Sequence, residues 1–236
     1  MWYRMFLVIG LIALSVSGCG RGQQVHLRMR AQFLYDVLRC LRQSDVNRQL
    51  PSVVRDSMGS DLYSWRLILH REVQLAPVPR ADLTKAWTDQ PERTTLEREP
   101  YFCGRAPPRC AVWAVVGEST VWKDEQYNFN SAKAEKVIAL LGVENSDQNW
   151  MAPGDVSLQA LQDPGQSHTI GESLKSSEDI ILIGFTDGEV WAIKCDVPCS
   201  ALVRLSKIGG NSQEADLRIA MRYRLWWIDK DGVRRQ

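Results

Sequence analysis

Hydrophobic positions along the chain fall into a few patterns, and each predicts an element. The first is a continuous apolar run, Phe6-Leu7-Val8-Ile9-Gly10-Leu11-Ile12-Ala13-Leu14, behind a single positive residue, Arg4. Over residues 24–48 the spacing changes. Leu27, Ala31, Leu34, Leu38 and Leu41 recur at intervals of three and four, with Phe33 and Val37 widening the stripe. That period predicts an amphipathic helix of about six turns, with Pro51 ending it. Its other face carries Arg28, Arg30, Arg39, Arg42 and Arg48 against Asp36 and Asp45.

Beyond it, Leu62-Tyr63-Ser64-Trp65-Arg66-Leu67-Ile68-Leu69 fits helix or strand equally. Residues 73–100 are polar with Pro77, Pro79, Pro91 and Pro100, which predicts an extended wrapping loop anchored by Trp87. Ala111-Val112-Trp113-Ala114-Val115-Val116 reads as a buried strand ending at Gly117. In residues 131–142, Ser131-Ala132-Lys133-Ala134-Glu135-Lys136 favours helix and Val137-Ile138-Ala139-Leu140-Leu141 equally suits a strand. Residues 155–161 resemble a short helix capped by Asp155.

The sharpest local signal is late: Ile180-Ile181-Leu182-Ile183-Gly184-Phe185-Thr186, then Asp187-Gly188, then Glu189-Val190-Trp191-Ala192-Ile193-Lys194. Two such runs around Asp-Gly predict a β-hairpin with a tight two-residue turn. Residues 200–208 and 214–226 read as helices, with Trp226 and Trp227 packing the chain end and Asp231-Gly232 marking a frayed basic tail.

The N-terminal run is shorter than the roughly 18 apolar residues that a membrane span needs, and has the form of a signal peptide core. It ends in Val16-Ser17-Gly18-Cys19. Small residues directly before a cysteine resemble the lipobox of bacterial lipoproteins, which implies cleavage before Cys19 and acylation of its thiol. Two or three acyl chains hold a protein stably where one binds marginally. Cleavage that leaves Cys19 as an ordinary thiol, or retention of the run as a short anchor, are the alternatives. Gly20 follows, so the aspartate that often marks inner-membrane retention is not there. The division expected is residues 1–18 signal peptide, 19–23 lipidated tether, 24–210 folded domain and 211–236 C-terminal extension.

Composition is that of a folded soluble domain, 44% hydrophobic and 24% charged, and a net charge of +1 gives no general pull toward nucleic acid. Outside the cytoplasm disulfides persist, and the six cysteines offer two close pairs: Cys103 with Cys110, and Cys195 with Cys199. Cys40 is left over. Long-range pairings or a four-thiolate zinc site are the competing readings.

Several segments together resemble a large pilin-like family abundant in planctomycetes, the domain of unknown function 1559. The segments are Ser64-Trp65-Arg66, Asp82-Leu83 with Trp87 and Pro91, Tyr101-Phe102-Cys103, and Trp113-Ala114-Val115-Val116-Gly117 with Thr120. Trp150-Met151-Ala152-Pro153-Gly154-Asp155 and Phe185-Thr186-Asp187-Gly188-Glu189-Val190 complete the set. The resemblance implies an α+β, pilin-like fold: a long N-terminal amphipathic helix packed on an antiparallel β-sheet with looped insertions, and residues 137–143 as a strand. Ser177 stands where that family's signature has a histidine, and a lipobox replaces its prepilin helix, so filament assembly is not expected.

Motifs for chemistry are few. His26, His70 and His168 have no metal-binding spacing. Gly117-Glu118-Ser119 lacks the closing glycine of a nucleophile elbow, and the hairpin accounts for Asp187 and Gly188 as turn residues. No catalytic residue, metal or cofactor is expected. The function expected is a non-enzymatic, membrane-anchored envelope lipoprotein facing the periplasm or cell exterior, with an envelope protein or glycan as partner. Nine tryptophans keep a second class open, a solute- or carbohydrate-binding module using exposed aromatics.

Overall fold

From residue 50 onward, more of the described residues lie in strands than in helices. The structure, a computed structural model, describes residues 19–43, 50–73, 81–97, 110–123, 126–127, 135–143, 148–161, 169, 179–209 and 213–236. In chain order these form α1 (Cys19–Gln43), β1 (Leu50–Pro51), β2 (Val53–Arg55), β3 (Asp61–Ser64), α2 (Trp65–Val73), a 3-10 turn (Trp87–Asp89) and α3 (Arg93–Leu96). Then come β4 (Val112–Val116), β5 (Trp122–Lys123), β6 (Gln126–Tyr127), β7 (Ile138–Gly142), β8 (Val156–Ser157) and α4 (Leu158–Leu161). The last are β9 (Ile180–Phe185), β10 (Val190–Lys194), α5 (Cys199–Leu205), α6 (Gln213–Tyr223), β11 (Arg224–Ile228) and β12 (Arg234–Arg235). The protein is mixed α+β.

The large sheet runs β1-β6-β5-β4-β7-β9-β10-β11-β12, and β8 also pairs with β4. Its centre, from β4 through β7, β9 and β10 to β11, is antiparallel, while β5 and β8 join β4 in parallel. β7 has no exposed residue, which explains why its sequence lacks polar alternation.

On one face of the sheet lies α1, which touches β7, β9, β10 and β11. Leu34 and Leu38 are completely buried at this contact. Gly184 in β9 admits them, because a Cβ there would stand 2.9 Å from Leu38 Cδ1 and 3.5 Å from Leu34 Cδ2. Each leucine contributes about 1.5–3 kcal/mol by leaving water. Strand alternation turns Ile181, Ile183, Phe185 and Trp191 to the opposite face, where all are 0% exposed. α5 and α6 pack on each other, and α6 also meets β10.

Several expectations are corrected by this architecture. The helix expected over 24–48 occupies Cys19–Gln43, so residues 19–23 are helical backbone and Pro51 sits in β1. Residues 62–69 are strand and helix in succession, β3 then α2. The wrapping loop contains the Trp87–Asp89 turn and α3, with Trp87 half-buried on the core. The short helix expected from Asp155 splits into β8 and α4, and Asp155 is no cap.

The hairpin turn has three residues, not two: Phe185 N donates to Glu189 O, and Gly188 N to Phe185 O, both at 2.9 Å. Helix over 214–226 ends at Tyr223, and Trp226 and Trp227 belong to β11, where pairing with β10 at Ala192 and Trp191 outweighs helical spacing. The tail is not frayed. β12 pairs with β11 through a turn of the same form, Asp229 N to Val233 O and Gly232 N to Asp229 O. Residues set apart as an extension therefore complete the sheet.

Candidate functional site

The second residue of α2 is an arginine beside Trp65, Leu67, Ile68 and Leu69, and that arginine is 0% exposed. Burying a guanidinium is costly unless its nitrogens find acceptors. Arg66 meets that demand: Nε donates to Val112 O at 2.6 Å, Nη1 and Nη2 to Gly154 O at 3.3 Å each, and Nη2 to Asp155 Oδ1 at 2.5 Å. The rings of Trp65 and Trp113 lie 5.0 and 5.3 Å from its guanidinium carbon.

Asp155 accepts in addition from Ala114 N at 2.8 Å and from Trp65 Nε1 at 3.1 Å. Burial pushes its carboxyl above the ordinary carboxylate range, and Arg66 is the largest influence holding it down. Ser64 extends the junction, its N donating to Met151 O and its Oγ to Trp150 O. The Ser64-Trp65-Arg66 and Trp150-to-Asp155 segments, far apart in sequence, thus meet at one buried ion pair. That is a structural joint: all the arginine's nitrogens are committed to acceptors.

A second polar cluster surrounds the predicted turn at Asp187 and Gly188. Lys136 Nζ reaches Asp187 Oδ2 at 3.1 Å and also pairs with Glu189 Oε2, while its charge lies 5.0 Å from the Phe185 ring and 4.8 Å from the Trp191 ring. Trp191 Nε1 donates to the same Glu189 oxygen at 2.8 Å. Arg42 of α1 donates to Asp187 O at 2.8 Å and ties the turn to the helix. Asp187 Oδ1 accepts from Glu189 N at 3.0 Å, which fits the turn role expected of it. Gly188 has φ +95°, the left-handed region that favours glycine.

The cysteines depart from the expected pairs. Cys110 and Cys195 are unbridged in the structure, so neither the Cys103–Cys110 nor the Cys195–Cys199 bridge is seen, and Cys103 lies outside the described residues. Cys110 is fully buried with Sγ donating to Val112 O, and burial pushes its thiol up to about 11, which keeps it protonated. Cys199 Sγ is turned to Leu161 O at the start of α5, while Cys195 stays half-buried in the turn after β10. Cys40 is half-buried on α1, its thiol raised by burial and then by Asp36. Among the described residues no group of three His, Cys, Asp or Glu side chains is placed to hold a metal.

Cys19 is the first residue of α1, and residues 1–18 and 162–168, with His168, lie outside the described set. Among the described residues no helix is long and apolar enough to cross a membrane. His70 is buried with its ring 5.7 Å from that of Trp150. Of the described tryptophans none is exposed: Trp65, Trp122, Trp150 and Trp191 are 0% exposed, and Trp113 and Trp226 are buried too. Half-buried Trp87 and Trp227 are each covered by an arginine, Arg93 at 5.1 Å and Arg224 at 3.9 Å.

Sequence reasoning missed the partners of Arg66 and Lys136, although a lone arginine among Trp65, Leu67, Ile68 and Leu69 was an available signal of a buried pair. It also missed Arg204, whose Nε and Nη2 grip the buried Asp216 at 2.7–3.0 Å and join α5 to α6. Comparisons of the chain with protein-family models, with curated proteins and with solved structures found no match.

Proposed function

We propose that this chain is a non-enzymatic, lipid-anchored cell-envelope protein whose domain is pilin-like in plan, α1 serving as the long helix laid on the antiparallel sheet. It presents an interaction surface to other envelope components. The observation that carries this reading is the order of Arg4, the apolar run and Val16-Ser17-Gly18-Cys19. Two features support it. Residues 19–43 are helical, so a chain cut before Cys19 would lead straight into the fold. Two of the charged groups found at depth, Arg66 and Asp155, are committed to holding segments together rather than facing a ligand.

The test is the mass of the mature N-terminus after purification from membranes. An acylated residue 19 as the first residue is the expected result; an uncut chain or an unmodified Cys19 contradicts it. A glycan panel titrated with tryptophan fluorescence is expected to give no saturable change, given where the tryptophans lie.

A further inference from the structure

The face of α1 turned away from the sheet carries the strongest unabsorbed pattern. Leu34 and Leu38 point into the core, and the opposite stripe is Val25, Arg28, Met29, Gln32, Asp36 and Arg39. Val25 is 55% and Met29 63% exposed, although both are apolar and sit one turn apart. Arg28 and Arg39 are exposed on the same stripe, and Asp36, its one acid, is half-buried. Arg42 is spoken for by Asp187 O.

Arginines near a lipid anchor attract acidic headgroups, and the exposed aliphatic side chains beside them can enter the headgroup–acyl boundary. α1 has too many charges to cross a bilayer. Helical rise puts Val25 about 9 Å and Met29 about 15 Å from residue 19 along the axis, with no slack segment between.

We infer that the Val25–Arg28–Met29–Arg39 face of α1 lies flat on an anionic lipid surface, so that the helix is held between the bilayer and the sheet. The inference rests on the anchor reading above and deepens it by fixing the domain's orientation. An acyl chain at residue 19 keeps this face at high local concentration near lipid, so contacts too weak to bind a free domain suffice. The arginines meet acidic headgroups, and the two aliphatic side chains enter the headgroup–acyl boundary.

The experiment uses the mature protein, purified in detergent and reconstituted into vesicles of phosphatidylcholine with phosphatidylglycerol, or of phosphatidylcholine alone. A benzophenone amino acid replaces Met29 in one preparation and Met58, which is 89% exposed on the β2–β3 turn, in another. Light is expected to give lipid adducts at position 29 and not at 58. Adducts at 29 are expected to fall by at least about fivefold in the R28E/R39E double variant and on removal of the anionic lipid.

The intact mass of each preparation reports acylation. An acylated protein with no more lipid adduct at 29 than at 58 overturns the orientation and leaves the anchor standing. Adducts from 29 to a second copy of the chain also overturn it. A chain without acyl groups overturns the anchor, and the orientation with it.

Discussion

Two charged clusters fasten distant segments of this protein, and they are built in opposite ways. The Arg66–Asp155 joint is dry, with side chains 0% and 2% exposed, and each charge is matched by several hydrogen bonds. The Lys136 clasp at the hairpin end is wet by comparison: Lys136, Asp187 and Glu189 keep 21%, 36% and 22% of their side-chain surface. In the joint, the partners' net attraction is small once desolvation is counted, yet losing one partner strands a buried charge. In the clasp, water can replace whatever is removed, so the contacts matter only as a sum. Similar pairings therefore do different work. The joint specifies which segments meet, and the clasp trims the geometry of a hairpin that its own backbone already forms.

The largest effect is expected in the joint. Arg66→Met is expected to destabilise the fold by about 3–5 kcal/mol, and the R66M/D155L double variant by distinctly less than the two single changes added. Urea unfolding of the four proteins checks this; additive losses would remove the distinction between joint and clasp. Next come the turns. Gly188→Ala is expected to cost about 1–2 kcal/mol, since φ is +95° and the new Cβ would sit 2.4 Å from Arg42 Nη1 until that side chain moves. Gly59 closes a turn with the same hydrogen bonds, Asp56 N to Ser60 O and Gly59 N to Asp56 O, at φ +85° with nothing within 4 Å. Gly59→Ala is expected to incur the backbone cost alone, and thermal unfolding of both measures the worth of the Arg42 contact.

For the clasp itself, Lys136→Met is expected to lose about 1 kcal/mol: its ion pairs are part-exposed, and the charge over Phe185 and Trp191 goes with them. A loss as large as that of Arg66→Met, measured in the same urea series, would refute the contrast. The smallest effect is a pH dependence at the last hairpin. The Asp229 carboxyl is held below its ordinary value, first by the bond from Val233 N and then by Arg235. A depressed carboxyl adds stability above its unfolded value, lost as pH falls through the lower folded one. Amide exchange at Val233 is therefore expected to quicken only below the ordinary aspartate value of 3.8, and the Asp229→Asn chain to lack that dependence.

What the sequence made legible was local. The Asp187-Gly188 hairpin, the strand through Val112–Val116 and the inward stripe of α1 follow from period and turn chemistry within one window. Residues 137–143, which pattern alone left open between helix and strand, hold β7. Long-range partners stayed hidden. Asp155 has the residue type and position of a helix cap, and only the arrival of Arg66 from 89 positions away makes it half of an ion pair. Trp226 and Trp227 have helical neighbours in sequence, and only β10 alongside them makes β11. The close cysteine spacings suggested bridges, but Cys110 and Cys199 are each turned to a nearby carbonyl, Val112 O and Leu161 O.

Everything proposed about place and orientation depends on what becomes of the Cys19 thiol. Intact mass and fragmentation of the protein isolated from its own membranes addresses this most directly. The expected result is a first residue corresponding to position 19 and heavier by its acyl chains. A chain still bearing residues 1–18, or starting with an unmodified cysteine, would contradict it.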